Sequence, residues 1–358
     1  MTENSAPSHA LIEIDLADLS PRIRQVCDGI DRLLYYSIPL RNRFRRIDVR
    51  DGLLMRGAFG WAEVSPFWDY GPEESATWLR AGLAAAREQP LPMRRSHVPV
   101  NATVPVVSPQ RAHDIVKESG GCQTVKVKVA DPGSTLTDDC ARIEAVRDAL
   151  GASGKIRVDA NAAWSVDEAV RAIDELNRAA QSGGADGLEY VEQPCAQVDE
   201  LAQVRRRVNV AIAADESVRR ASDPLAVARA GAADLVIVKV QPLGGTRRVI
   251  EVCADAGMPA VVSSALESSI GLSRGVECAA MLEELPYACG LATSQMFTAD
   301  IAQSRVQPVG GAIAAELAEV DEERIGEPTH RDQIMITRWL TRLNAMAQVL
   351  ADCNERVE

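Results

Sequence analysis

Residues 124–161 read TVKVKVADPGSTLTDDCARIEAVRDALGASGKIRVDAN, and this stretch decides the architecture. Two short β-branched runs, Thr124–Ala130 and Lys155–Asn161, flank an Ala-rich, charged segment with helical spacing, which reads as strand, helix, strand. Outward from it the same rhythm recurs at Val98–Val107, Leu188–Pro194, Val210–Glu216, Leu235–Gln241, Ala260–Ser264 and Tyr287–Ala292. Eight alternating βα units over about 200 residues predict a closed parallel (β/α) barrel rather than an open doubly wound sheet.

The flanks read differently. Ser20-Pro21 is a helix start, and Ile23, Val26, Ile30 and Leu33 recur after it at helical spacing, predicting a helix up to about Leu34. Strand-like segments Arg45–Arg50 and Leu53–Ala58 are joined by Asp51-Gly52, a strong hairpin signal. A second helix is expected over Pro72–Gln89, followed by a linker, Gln89-Pro90-Leu91-Pro92. The expected organisation is an α+β domain over 1–96, the barrel over 97–310, and a C-terminal segment over 311–358 with an amphipathic helix at Gln333–Cys353.

Composition narrows the function. The chain has 358 residues, 46% apolar and 25% charged, with 39 basic against 51 acidic side chains and a net charge of −12. That is the make-up of a globular protein with a full core, and its charge disfavours nucleic acid or an anionic membrane as partner. No uncharged apolar run approaches the roughly 18 residues of a membrane span, and Met1-Thr2-Glu3-Asn4-Ser5 lacks the pattern of a signal peptide, so the cytoplasm is the expected location. The eight cysteines never approach a CxxC spacing and are read as reduced, mostly buried thiols. Four histidines, 9, 97, 113 and 330, show no chelating spacing, so zinc chemistry and a histidine base are not expected.

In a (β/α) barrel the reactive groups stand at the C-terminal ends of the strands. Five successive strands end with an ionisable residue there: Lys128, Asp159, Glu192, Asp215 and Lys239, at spacings of 31, 33, 23 and 24 residues. A single Asp or Lys at a strand end is usually a cap or a solvated charge, and a buried Lys–carboxylate network can be purely structural. Five in register point to chemistry. Three carboxylates on adjacent strands would repel one another without a cation, and oxygen ligands without His or Cys select Mg²⁺ or Mn²⁺. Strands two and six lie four apart in an eight-membered ring, so Lys128 and Lys239 are expected to face each other across the barrel mouth.

At these residues the sequence resembles the enolase superfamily, specifically its muconate-lactonising subgroup, in which a KxK strand, three strand-end carboxylates and a sixth-strand lysine occur in this order. More narrowly, Pro39–Arg45, Val100–Pro105, Thr124–Ala130, Tyr190–Cys195, Lys239–Gly245 and Tyr287–Thr293 look like the actinobacterial o-succinylbenzoate synthases of menaquinone synthesis. The resemblance implies an α/β fold, a modified TIM barrel with an α+β N-terminal capping domain, and a small dicarboxylate substrate. It implies that Asp159, Glu192 and Asp215 bind Mg²⁺, that Lys128 removes the proton beside the substrate carboxylate and then assists loss of hydroxide, and that Lys239 offers a cation to the intermediate from the opposite face. Lys128 acts as a base only when neutral, and nearby Lys126 and Mg²⁺ lower its pKa. Related barrels use the same two lysines to racemise N-acylamino acids or epimerise dipeptides, and a non-catalytic ligand-binding barrel is the remote alternative. The helical stretch before Leu34 precedes the point where the family's capping domain usually begins.

Further candidates are weaker. Asn161 and Arg157 share the side of the strand that carries Asp159, Asn161 as a substrate or metal-water contact or a strand-end cap, Arg157 as support. Glu216, which follows a metal-ligand candidate, is expected to point away into the wall, with pairing to a neighbouring lysine or ligation as its alternatives. Backbone N–H groups at Ser263, Ser264, Gly290 and Leu291 could receive a carboxylate. Gly244-Gly245 is a tight turn or an anion cradle. Arg41, Arg43, Arg45, Arg46 and Arg50 read as a hairpin face in water, with one of them able to attract the substrate.

Overall fold

The computed structural model of the chain describes residues 9–44, 46–220 and 223–354, so the reading of Met1–Ser5 and the place of Arg45 lie outside the described residues. An antiparallel sheet comes first, in the order β1 (Ala10–Ile14), β2 (Arg32–Phe44), β3 (Ile47–Gly57) and β4 (Gly60–Val64). Leu33, Leu34, Tyr35 and Tyr36 are all buried, which requires cover on both faces of this sheet. Part of that cover comes from α2 (Pro72–Arg87) and from α12 (His330–Asn354), whose Trp339, Leu343, Met346, Ala347 and Leu350 join the same core. The α12 start is fixed by Thr329 and Asp332, which exchange side-chain-to-backbone hydrogen bonds at 3.2 and 3.0 Å as a capping box does.

Two expectations for this region fail. The first helix, α1, spans only Pro21–Val26, capped by the Ser20 hydroxyl. Gly29 takes φ +78°, the left-handed turn that ends it, and Leu33 lies in β2 between Ile14 and Met55. Nor is Asp51-Gly52 a turn. Both sit inside β3, opposite Ser37 and Tyr36, and a Cβ on Gly52 would meet the Tyr36 ring at 2.7 Å. Asp51 is buried and accepts hydrogen bonds from the indoles of Trp339, at 2.8 Å, and Trp68, at 3.1 Å. The β2–β3 turn lies instead between Phe44 and Ile47, with Arg46 at φ +66°.

The parallel sheet runs β6 (Ala102–Val104), β7 (Thr124–Lys128), β8 (Lys155–Asp159), β9 (Leu188–Glu192), β10 (Ile212–Ala214), β11 (Leu235–Val238) and β12 (Ala260–Val262), each beside the next. The expected first strand is split: β5 (His97–Pro99) pairs antiparallel with β13 (Ala312–Ala314), and only β6 joins the parallel sheet. The expected eighth strand is reduced to a short seam, where Cys289 bridges Val100 and Gly290 bridges Ser263. That seam closes the modified barrel.

Helices α3 (Pro109–Lys117), α4 (Leu136–Leu150), α5 (Val166–Ala180), α6 (Val198–Arg205), α7 (Glu216–Arg219), α8 (Ala226–Arg229), α9 (Val240–Leu243), α10 (Thr246–Ala256) and α11 (Ser269–Met281) follow the strands. Alternate strand residues such as Val125, Val127, Val158, Val191 and Val236 pack in the core cluster that also holds Ile143, Ile173 and Leu201 of these helices. Tyr190, Ala213, Ile237 and Val261 form a separate cluster, and each lies two residues before Glu192, Asp215, Lys239 and Ser263 respectively. An apolar layer therefore underlies the polar ends of the strands.

Candidate active site

Strand register brings the sequence's candidates to one level. Lys128 lies opposite Asp159, Asp159 opposite Glu192, and Glu192 opposite Ala213, next but one to Asp215. Lys126 and Lys128 share one face of β7 because strand side chains repeat every two residues. Lys126 Nζ donates to Asp159 Oδ2 at 3.1 Å and to Glu192 Oε1 at 3.0 Å, and Lys128 Nζ donates to Asp159 Oδ2 at 2.5 Å and to Asn161 Oδ1 at 2.7 Å. Four strands around the ring, Lys239 Nζ donates to Asp215 Oδ2 at 2.6 Å.

One cavity has both Lys128 and Lys239 in its wall, with Lys126, Asp159, Asn161, Asp215, Ser263, Ser264 and Gly290. Glu192 lies just behind, against Lys126. Among the described residues, no three acidic, histidine or cysteine side chains close around one ion-sized point; lysine amines stand between the carboxylates.

Burial raises the cost of every charge here, and neighbours decide which are kept. For Lys126, burial works against the ammonium, but Glu192 and Asp159 outweigh it and hold the pKa above the usual lysine value. Burial prevails at Lys128, aided by Lys126 against the pull of Asp159, and pushes its pKa down. Lys239 is likewise lowered, first by burial and then by Arg219, despite Asp215. Asp159 and Asp215 stay well below the usual carboxylate range: burial opposes this, and Lys128 with Lys126 at the first, and Arg219 with Lys239 at the second, overcome it. Glu192 is raised, by burial and then by repulsion from Asp159, with Asp215 adding to it. Three buried carboxylates that still repel, with oxygen as the donor set, fit a hard divalent cation.

Several weaker candidates have other roles. Arg157 is fully buried below the cavity, stacked 4.6 Å from the Tyr190 ring, and bonded to Glu189, Asn101 and the Ala288 carbonyl, so it ties the interior to the seam. The backbone N–H groups of Ser263, Ser264 and Gly290 are spent on Val238, Gly290 and Val262 in the strand ladder, at 2.9 Å each, and are not free for a carboxylate. Leu291 is buried and joins the packed core rather than the cavity wall. Glu216 does not turn into the wall toward a lysine; its Oε1 receives Arg219 at 2.6 Å and Asn161 at 3.3 Å, at the mouth. Gly244 and Gly245, at φ +92° and +126°, make the turn between α9 and α10.

The arginine cluster divides. Arg50 is buried, donating to the Leu266 carbonyl at 2.9 Å and the Ser65 hydroxyl at 2.8 Å, with its guanidinium 4.4 Å from the Phe67 ring. It joins the N-terminal sheet to a segment lining the cavity. Arg41 donates to the Phe297 carbonyl at 3.0 Å, and Arg43 to that of Arg46 at 3.3 Å.

Sequence reading missed Phe44, Phe67 and Arg219, all in the cavity wall. Phe44, at the end of β2, places its ring 5.5 Å from Lys128 Nζ. Arg219 had a signal: it stands four residues after Asp215, the spacing at which opposite charges meet on a helix, and donates to Asp215 Oδ1 at 2.9 Å.

Comparison with known proteins identifies the family. Residues 35–86 match the family described as enolase N-terminal domain-like, and residues 109–343 match enolase C-terminal domain-like. An o-succinylbenzoate synthase from Thermobifida fusca is 54% identical over 311 residues, 87% of this chain and 94% of that protein. One from Mycolicibacterium smegmatis is 48% identical over 315 residues, 87% of this chain and 95% of the relative. A solved dipeptide epimerase from Enterococcus faecalis, complexed with Mg and the dipeptide L-Leu-L-Tyr, superposes with a TM-score of 0.66 at 21% identity, covering 80% of this chain and 97% of that one. The last likeness establishes the fold.

Proposed function

The chain belongs to the enolase superfamily and, within it, to the o-succinylbenzoate synthases, and from that footing we propose how its residues divide the work. The enzyme is a hydro-lyase that converts 2-succinyl-6-hydroxy-2,4-cyclohexadiene-1-carboxylate to 2-succinylbenzoate, a step of menaquinone synthesis. The observation that carries the residue roles is the pair Lys128 and Lys239, held four strands apart by Asp159 and Asp215, both with lowered pKa.

Lys128 Nζ, neutral, takes the proton from the ring carbon beside the carboxylate. That C–H electron pair becomes the new ring double bond as the neighbouring C–O bond breaks. The same Nζ–H returns its proton to the departing oxygen, so water leaves and the ring becomes aromatic. Lys239, when protonated, holds positive charge against the ring from across the cavity. Asp159, Glu192 and Asp215 would hold Mg²⁺, and the bound ion supplies positive charge against the charge that builds on the substrate carboxylate. Mn²⁺ shares the preference for oxygen ligands and is expected to substitute.

Both lysines being lowered also suits a racemase, in which each amine serves one face of a carbon. The test compares kcat/KM for aromatisation of the cyclohexadiene acid with that for racemisation of N-succinylamino acids, the latter followed by optical rotation and deuterium uptake, each with Mg²⁺ and after chelation. Aromatisation is expected to be the faster, metal-dependent reaction; faster racemisation would reassign the chain to the isomerases. No helix among the described residues is long and apolar enough to cross a membrane, and eight unpaired thiols, five of them buried, support a reducing setting such as the cytoplasm.

A further inference from the structure

Asp215 closes β10 and opens α7, and its two oxygens have different partners. Oδ2 accepts from Lys239 on the cavity side, while Oδ1 accepts from Arg219 Nε at 2.9 Å, one helical turn further on. Arg219 is only 6% exposed, and the three nitrogens of its guanidinium go to three residues. Nε takes Asp215, Nη2 takes Glu216 Oε1 at 2.6 Å, and Nη1 donates to the Tyr70 hydroxyl at 2.8 Å.

Tyr70 does not belong to the barrel. It lies between β4 and α2, and its ring meets Phe67 edge-on at 5.8 Å and Trp78 at 6.1 Å, both in the N-terminal core. Arg220, neighbour of Arg219, covers the Tyr70 ring at 5.0 Å and pairs with Glu74 of α2 at 2.8 Å. A continuous polar path therefore runs from the N-terminal domain through Tyr70 and Arg219 to one oxygen of Asp215.

We propose that Arg219, held in place by Tyr70, is a positioning residue that fixes the Asp215 carboxylate for the divalent cation, so that docking of the N-terminal domain sets the metal affinity of the barrel. This rests on the reading of Asp215 as a metal ligand. An aspartate carboxylate, free to turn about Cα–Cβ and Cβ–Cγ, presents its free oxygen in one direction only if the other is held. The planar guanidinium does this because its fork is rigid, and the tyrosine hydroxyl stops the fork from swinging. Partners that orient metal ligands in this way typically contribute tenfold or more to affinity.

The test uses charge-conserving variants at the two positioning residues, so that any change there reports orientation rather than net charge, with Asp215→Asn as the control that removes the ligand itself. Mg²⁺ alone is titrated calorimetrically into the metal-free full chain for wild type, Arg219→Lys, Tyr70→Phe and Asp215→Asn. Lysine keeps the charge but not the fork, and Arg219→Lys is expected to weaken Mg²⁺ binding about tenfold. Tyr70→Phe, one step further from the ligand, is expected to weaken it several-fold, with its metal-free melting temperature near wild type and kcat recovering at saturating Mg²⁺. Unchanged Mg²⁺ affinity in Arg219→Lys and Tyr70→Phe, with binding lost in Asp215→Asn, overturns the positioning role alone. Wild-type binding in Asp215→Asn overturns the ligand assignment on which it depends. A raised KM for substrate at saturating Mg²⁺ with metal affinity unchanged places Arg219 on the substrate instead, which also overturns the proposal.

Discussion

Lys126 and Lys128 aim their ammonium groups at the same atom, Asp159 Oδ2, from 3.1 and 2.5 Å. Two residues apart on one strand, they are not equivalent. Lys126 has a second carboxylate, Glu192, which with Asp159 raises its pKa, whereas Lys128 has the neutral amide of Asn161 as its other partner. The strand thus pairs one amine whose pKa is raised with one whose pKa is lowered, and the charge on the first adds to the burial that lowers the second.

Lys128→Ala is expected to lower kcat by about a thousandfold, the scale of an essential acid–base group. Asp159 keeps Lys126, so the thermal midpoint should move little. Turnover near wild type in a folded variant would remove Lys128 from the reaction.

Lys126→Met replaces the amine shared by Asp159 and Glu192 with an apolar chain of similar length. Asp159 and Glu192 then face each other, buried, without their shared partner, a loss worth about 3–5 kcal/mol when one side of a buried pair is removed. Calorimetric melting in chelator should show this loss, and Mg²⁺ should recover part of it. A midpoint equal to wild type in chelator would mean that Lys126 does not balance those charges.

Glu267 gives a pH signature in stability. Burial, and then the Glu63 carboxylate nearby, push it up to about 7 from the ordinary 4.5. The folded chain holds that proton more tightly than the unfolded one, so this group's contribution to stability falls as pH rises from about 4.5 to about 7 and is level above. Glu267→Gln should flatten this part of the profile, measured as denaturant midpoints from pH 4.5 to 8. An unchanged slope in the variant would show that Glu267 titrates normally.

Arg50→Lys keeps the charge but cannot reach Leu266, Ala265 and Ser65 together. The expected cost is about 2 kcal/mol from buried acceptors left unpaired. Because Ala265 and Leu266 line the cavity, KM should rise while kcat at saturation holds. Wild-type KM and stability together would show that Arg50 does not anchor that segment.

The barrel was legible because its signal is local. A β-branched run ending in a charged residue announces both the strand and the group it presents, and Lys128, Asp159 and Glu192 were placed at one level by counting alone. The N-terminal sheet was misread where distant contacts outweigh local preference. Asp51-Gly52 makes an excellent turn in isolation, but Trp339, 288 residues away, claims the carboxylate and Tyr36 claims the space beside the glycine. Arg50 looked solvated because all but one of its acceptors are backbone carbonyls, which leave no trace in sequence. The amides of Ser264 and Gly290 looked available because pairing across the seam depends on closure of the ring, and that of Ser263 because its acceptor, the Val238 carbonyl, belongs to the neighbouring strand.

The placing of α12 against the first sheet bears on the order in which the molecule is made. Trp339, Leu343 and Met346 complete a core whose other members, Leu33, Tyr36 and Leu54, are synthesised first. A nascent chain carries that apolar surface covered only in part, by α2, while the whole barrel is translated. The barrel strands, whose partners are neighbours in sequence, can close during this interval. The oldest part of the polypeptide therefore cannot complete its core until α12 has been made, and a chain cut short before α12 would leave that side of the sheet without its cover.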